Sequence, residues 1–151
     1  MKKYMYMSLM LALVSVSTLF LTACDDDETP DKPQITLTEV GHDNSRHAHP
    51  GHDMHLEADI VAMGLIQRID IRIHQEDGGT FEIKQSFTEG KYIGVRNTEF
   101  HEHIDIPEGA PLGEYHLHFT VTDKFGQQTT VESPLEISED DDENDEHHHN
   151  D

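Results

Sequence analysis

A chain of 151 residues with 31 Asp and Glu against 10 Lys and Arg, a formal net charge of −21, repels nucleic acid and gathers cations around itself, so DNA and RNA are excluded as partners. One cysteine and no tryptophan exclude a disulfide framework and a thiolate metal centre, and argue against an aromatic platform for sugars. Thirteen histidines are what the composition offers instead. The chain opens on Lys2 and Lys3 ahead of an apolar run from Leu9 to Leu21. That is the pattern of an export signal over 1–23, too short and wrongly flanked for a stable span.

The signal ends in Leu21-Thr22-Ala23-Cys24, which resembles the lipobox of bacterial lipoproteins. The resemblance implies cleavage before Cys24, acylation of that cysteine, attachment to a membrane through the lipid, and no thiol left in the mature chain. Asp25-Asp26-Asp27-Glu28 and Thr29-Pro30-Asp31-Lys32-Pro33 follow, a charged, proline-bearing tether over 24–33 that cannot bury a core. Its acidic run resembles the export signal that carries Bacteroidetes-type lipoproteins to the cell surface. It implies an outer-membrane, surface-exposed protein, with the periplasmic face, or a mere spacer, as the alternative. At the other end, 139–151 combines eight acids with His147, His148 and His149, and reads as a disordered tail.

Between these ends, 34–138 holds 18 acids against seven Lys and Arg, a net of −11, in a length that suits one domain with one core. Ile35 to Val40 alternates and reads as the first strand. Gly41 to Asp53 reads as a polar loop carrying His42, His47, His49 and His52. His55 to Ala62 follows, with Leu56, Ala58 and Ile60 inward and His55, Glu57 and Asp59 outward. Met63-Gly64-Leu65 turns the chain into Ile66–His74, where Ile69, Ile71 and Ile73 oppose Arg68, Asp70, Arg72 and His74. A helix over 56–69 is disfavoured by Gly64 and by the clustered β-branched residues. Thr80 to Phe87 is a shorter strand, and 89–98 reads as irregular. Phe100, Ile104 and Ile106 mark a strand with His101, His103 and Asp105 on its other face. In the last hairpin, Tyr115, Leu117, Phe119 and Val121 alternate with His116, His118, Thr120 and Thr122, a turn at Asp123-Lys124-Phe125-Gly126 follows, and an extended stretch runs to Ile137. Seven short strands without a convincing helix predict an all-β, two-sheet sandwich.

Gly113-Glu114-Tyr115, ahead of a strand ending Thr122-Asp123-Lys124-Phe125-Gly126, resembles the tyrosine-corner strand of immunoglobulin-like bacterial surface domains. His49-Pro50-Gly51-His52-Asp53-Met54-His55-Leu56, with Ile71-Arg72-Ile73-His74 and Tyr115-His116-Leu117-His118, resembles an uncharacterised family of histidine-rich Bacteroidetes-type lipoproteins. The resemblance covers 34–138 and implies an immunoglobulin-like antiparallel sandwich and an envelope location; it carries no activity. In that strand order His74, His116 and His118 share one sheet face, while His55, His101 and His103, helped by His49, share the other. Two imidazoles two residues apart on a strand lie about 6.5 Å apart. Such groups are candidate ligands for zinc or copper, with neighbouring carboxylates completing the shell. The reading is a cell-envelope lipoprotein that captures or delivers a transition-metal ion, with an envelope transporter or surface protein as partner. A non-enzymatic adhesion or protein- or glycan-binding module with incidental histidines is the alternative. No phosphate loop or serine-nucleophile motif points to an enzyme.

Overall fold

The computed structural model describes residues 29–139. The signal, Cys24, the acidic run and the tail histidines lie outside the described residues. Eight strands form: β1 Gln34–Val40, β2 His47–Ala48, β3 Asp53–Val61, β4 Ile66–Gln75, β5 Glu82–Phe87, β6 Asn97–Asp105, β7 Gly113–Asp123 and β8 Gln128–Ile137. They make two sheets, β1-β3-β6 and β2-β8-β7-β4-β5. All neighbours are antiparallel except β2 and β8, which run parallel. The first, second and fifth long strands lie in one sheet and the others in the second, the order of an immunoglobulin-like sandwich.

The period-two patterns produce this directly, because alternate side chains of a strand face opposite sides of its sheet. Leu56, Ala58 and Ile60 from β3, Phe100 and Ile104 from β6, Ile69, Ile71 and Ile73 from β4, and Tyr115, Leu117, Phe119 and Val121 from β7 are all buried between the sheets. Phe100 meets Phe119 edge-on with ring centres 5.0 Å apart, so the contact ties the edge strand β6 of one sheet to the central strand β7 of the other. The Tyr115 hydroxyl donates to the Pro111 carbonyl at 2.7 Å, which is the tyrosine corner, and burial pushes its pKa above the ordinary value. Tyr115→Phe keeps the packing and removes this bond; urea unfolding should show a loss of about 1–2 kcal/mol.

Two stretches differ from the sequence reading. The loop at 41–53 contains a short 3-10 turn at His42–Asn44 and the two-residue β2, which pairs through His47 and Ala48 with Glu136 and Ile137. Two residues are too few to display an alternation. β6 begins at Asn97, inside the stretch read as irregular, because Asn97, Thr98 and Glu99 pair with Val61, Ile60 and Asp59 along a sheet edge. There backbone pairing alone sustains a polar strand.

The pairing also divides the sandwich lengthwise. Gln34 pairs with Val61, and Ile66 with Asp123, at one end; Asp53 pairs with Asp105, and Gly113 with Ile137, at the other. The entering chain is held at the first end, where Pro33 is buried and Gln127 Nε2 donates to the Pro30 carbonyl at 2.6 Å. Eight of the ten described histidines fall toward the opposite end, and His101 and His118 stand at the midpoints of β6 and β7.

Candidate metal centre

The outer face of the three-stranded sheet carries the densest arrangement of ligand atoms. β3 and β6 place Asp53 opposite Asp105, His55 opposite His103, Glu57 opposite His101 and Asp59 opposite Glu99. Cross-strand partners stand about 4.5–5.5 Å apart at Cβ, within imidazole reach of a common point. The Nε2 atoms of His55 and His101 lie 3.0 Å apart, and the His55 and His103 rings stack with centres 5.1 Å apart. One ligand atom from each of His55, His101 and His103 falls within 4.8 Å of the others, and the same is true of Glu39, His55 and Glu57. Both groups can hold a metal ion.

The carboxylates decide which nitrogen of each ring is available. His55 Nδ1 donates to Glu39 Oε1 at 2.9 Å, a bond that holds the Glu39 carboxyl below its usual range. His101 Nδ1 faces Glu57 Oε1 at 2.9 Å, and His103 Nδ1 faces Asp53 Oδ2 at 2.5 Å. A carboxylate only accepts, so in the neutral rings each Nδ1 carries the proton and each Nε2 keeps a lone pair. This is the carboxylate–histidine arrangement that orients imidazoles around metals. With neutral rings it leaves the Nε2 lone pairs of His55 and His101 aimed at one another, a contact that a shared proton or a metal ion between them relieves. Two nitrogens about 2.0–2.1 Å from a tetrahedral zinc stand about 3.4 Å apart, so a small ring rotation admits the ion. Glu57 Oε1, 3.4 Å from His55 Nε2, can reach the same ion.

The surrounding charge favours a cation as well. β1, β3 and β6 contain no Lys or Arg, while Glu39, Asp53, Glu57, Asp59, Glu99 and Asp105 lie on their outer face. Like charges directly opposite one another destabilise a sheet, yet Asp53 faces Asp105 and Asp59 faces Glu99 on either side of the histidines. A bound cation relieves that repulsion.

On the five-stranded sheet, His74 pairs with His116, and Arg72 with His118. His74 and His118 bring their Nε2 atoms to 2.8 Å. His116 turns instead toward Glu76, 3.6 Å away, and its ring centre is 5.8 Å from that of His74 and 6.4 Å from that of His118. Among the described residues, groups of three ligand atoms within 4.8 Å occur on the other sheet only. His49 stands apart from both clusters: its Nδ1 faces the Ser138 carbonyl at 2.9 Å and its ring meets His52 edge-on.

Sequence reasoning did not name the carboxylates that orient the rings. Alternation does put Asp53, His55 and Glu57 on one face. Glu39 was hidden by a β-bulge: Leu37 pairs with Ala58 but Glu39 with Glu57, so the extra residue turns Glu39 outward, whereas strict alternation places it beneath, with Ile35 and Leu37.

Among solved structures the chain is similar to OgpA from Akkermansia muciniphila, at 13% identity over 72% of this chain and 30% of that one, with a TM-score of 0.51. It is similar also to a Niemann-Pick type C2 protein from Japanese carpenter ant, at 10% identity over 73% and 96% of the two chains with a TM-score of 0.45. A third is the PmoD soluble domain from Methylocystis sp., at 14% identity over 73% and 94%, with a TM-score of 0.37. The likeness to OgpA is one of fold, and the chain spans less than a third of that protein's length. No curated protein matches. The sequence pattern of the family described as a domain of unknown function, DUF4625, matches residues 22–138, and the chain belongs to that family.

Proposed function

We propose that this member of the DUF4625 family is a cell-envelope lipoprotein that binds a transition-metal ion, zinc or copper, through surface histidines, for capture or for delivery to an envelope transporter or surface protein. His55, His101 and His103 are the principal ligands, with Glu57 within reach of a further position. The observation that carries the reading is the convergence of the His55 and His101 Nε2 atoms, with a ligand atom of His103 within 4.8 Å, from rings whose Nδ1 atoms are each engaged by a carboxylate. Nitrogen ligands with one carboxylate suit zinc and copper rather than calcium or magnesium. The side chains of His101 and His103 are more than half exposed, which suits an ion that is picked up and passed on better than one sealed in place.

The test is a zinc and copper titration of the metal-stripped chain from Asp25 to Glu139, followed by desalting and elemental analysis. At least one ion should stay with each chain; an ion that washes away completely would overturn the reading. The anchoring half is tested separately. Cys24→Ser should abolish acyl labelling and leave an unprocessed or soluble product. Neutral residues in place of Asp25, Asp26, Asp27 and Glu28 should lower accessibility to protease added outside the cell.

A further inference from the structure

The His74–His118 pair on the five-stranded sheet repeats the lone-pair logic of the other face but stops halfway. His118 Nδ1 faces Glu132 Oε1 at 3.0 Å, and His74 Nδ1 donates to the Gln75 carbonyl at 3.0 Å. Carboxylate and carbonyl only accept, so in the neutral rings both Nε2 atoms, 2.8 Å apart, present lone pairs to each other, a contact that a shared proton or a metal ion between them relieves. No third ligand atom among the described residues closes on that point, and zinc takes four ligands. The remaining positions fall to ligands from outside the described residues.

We propose that a second copy of this chain fills them, the two His74–His118 pairs meeting across a twofold axis so that four imidazole nitrogens close a tetrahedral zinc site. Such an interface is isologous, with the same patch used twice. The charge distribution selects this face. With 18 acids against seven Lys and Arg over 34–138, two copies repel almost anywhere, and the outer face of β1-β3-β6 is wholly acidic. The strands around His74 and His118 are different: Arg68 pairs with Asp70, Arg72 with Glu82 and Lys84 with Glu82, while Glu76, Glu114, Glu132 and Glu136 are the other acids of this face. Three cations offset half of its six anions, where the other face sets no Lys or Arg against its six. Sheets stack about 10 Å apart face to face, a spacing that lets imidazoles from both sides meet at the mid-plane. The proposal does not depend on the His55 site.

Sedimentation of the metal-stripped chain from Asp25 onward, with His147, His148 and His149 replaced by Ala, separates the possibilities. Zinc should double the mass, with one ion per two chains beyond those held elsewhere, and EDTA should reverse it. His74→Ala with His118→Ala should remain monomeric in zinc while still binding zinc at the His55 site. Glu132→Gln, which keeps both imidazoles, should raise the zinc concentration needed for dimerisation about 10–100-fold. His55→Ala with His101→Ala should dimerise normally. A chain that stays monomeric in excess zinc, holding one ion per chain or only a shared proton at this pair, would overturn the proposal, as would a dimer that survives loss of His74 and His118. Loss of zinc from the His55 site alone would leave dimerisation intact and count against the function proposed above instead.

Discussion

Replacing His55 and His101 together by alanine should weaken zinc binding on the three-stranded face about a thousandfold or more, since removing even an orienting partner behind a ligand costs about 10–100-fold and here two ligands disappear. In free energy that is about 4 kcal/mol of binding, at 1.4 kcal/mol per tenfold. Isothermal titration of the chain ending at Glu139 would measure it. Glu57→Gln serves as the companion: it keeps all three imidazoles but frees the His101 tautomer, so affinity should fall about 10–100-fold. If the double variant binds as tightly as the parent, the site is elsewhere. Two pH windows should separate in the same experiment. Protons compete with metal for imidazole nitrogens, so zinc should leave as pH falls below about 6.5. The Glu39 carboxyl, by contrast, is held below its ordinary 4.5 by His55. Its contribution to stability is therefore complete above pH 4.5 and is lost only as pH falls through the lowered value. Metal release should precede any acid destabilisation through Glu39.

Phe119→Ala should cost about 3–5 kcal/mol of stability, the usual loss for a fully buried phenylalanine. Phe119 is wholly buried, lies in the middle of β7, and packs edge-on against Phe100 in the opposite sheet. A cavity there opens between the two sheets at once, so neither can close over it without shifting its partners. Against a total stability of about 5–15 kcal/mol for a domain of this kind, the loss is large. Urea unfolding followed by circular dichroism would read it. Phe125, on the hairpin turn and 62% exposed, is the control, since its replacement by alanine should change stability by less than about 0.5 kcal/mol.

These two residues mark how much was legible in the chain itself. The alternation around Phe119 specifies strand, face and burial together, because only a half-buried strand needs apolar residues at every second position. β3 and β4 are legible for the same reason. The sharing of an outer face by His55 with His101 and His103 follows once the strand order is known. The contacts within each group do not follow, because they depend on register, and a slip of one residue along β7 would turn His74 away from His118. Nor does the Glu39–His55 contact, which exists through a bulge that an alternating pattern does not announce. The tautomers are further removed still: Glu57 is legible as an outward acid while Asp53 reads as the end of a loop, and only their distances from His101 and His103 assign the proton of the neutral rings to Nδ1.

The fixed entry of the chain beside Gln127 sets a standoff. From the Val61 end of β3 to His55 is about 20 Å along the strand. If the lipid proposed at Cys24 tethers the chain, the bilayer faces this end, with His55 beyond two Debye lengths of about 8 Å each at physiological ionic strength and the mid-strand His101 and His118 about 13–17 Å away. Ion loading in such an anchored state should then depend little on whether the leaflet beneath is anionic or zwitterionic. In that arrangement the histidines are reached from the aqueous side, at the height of a neighbouring protein rather than of a lipid head group.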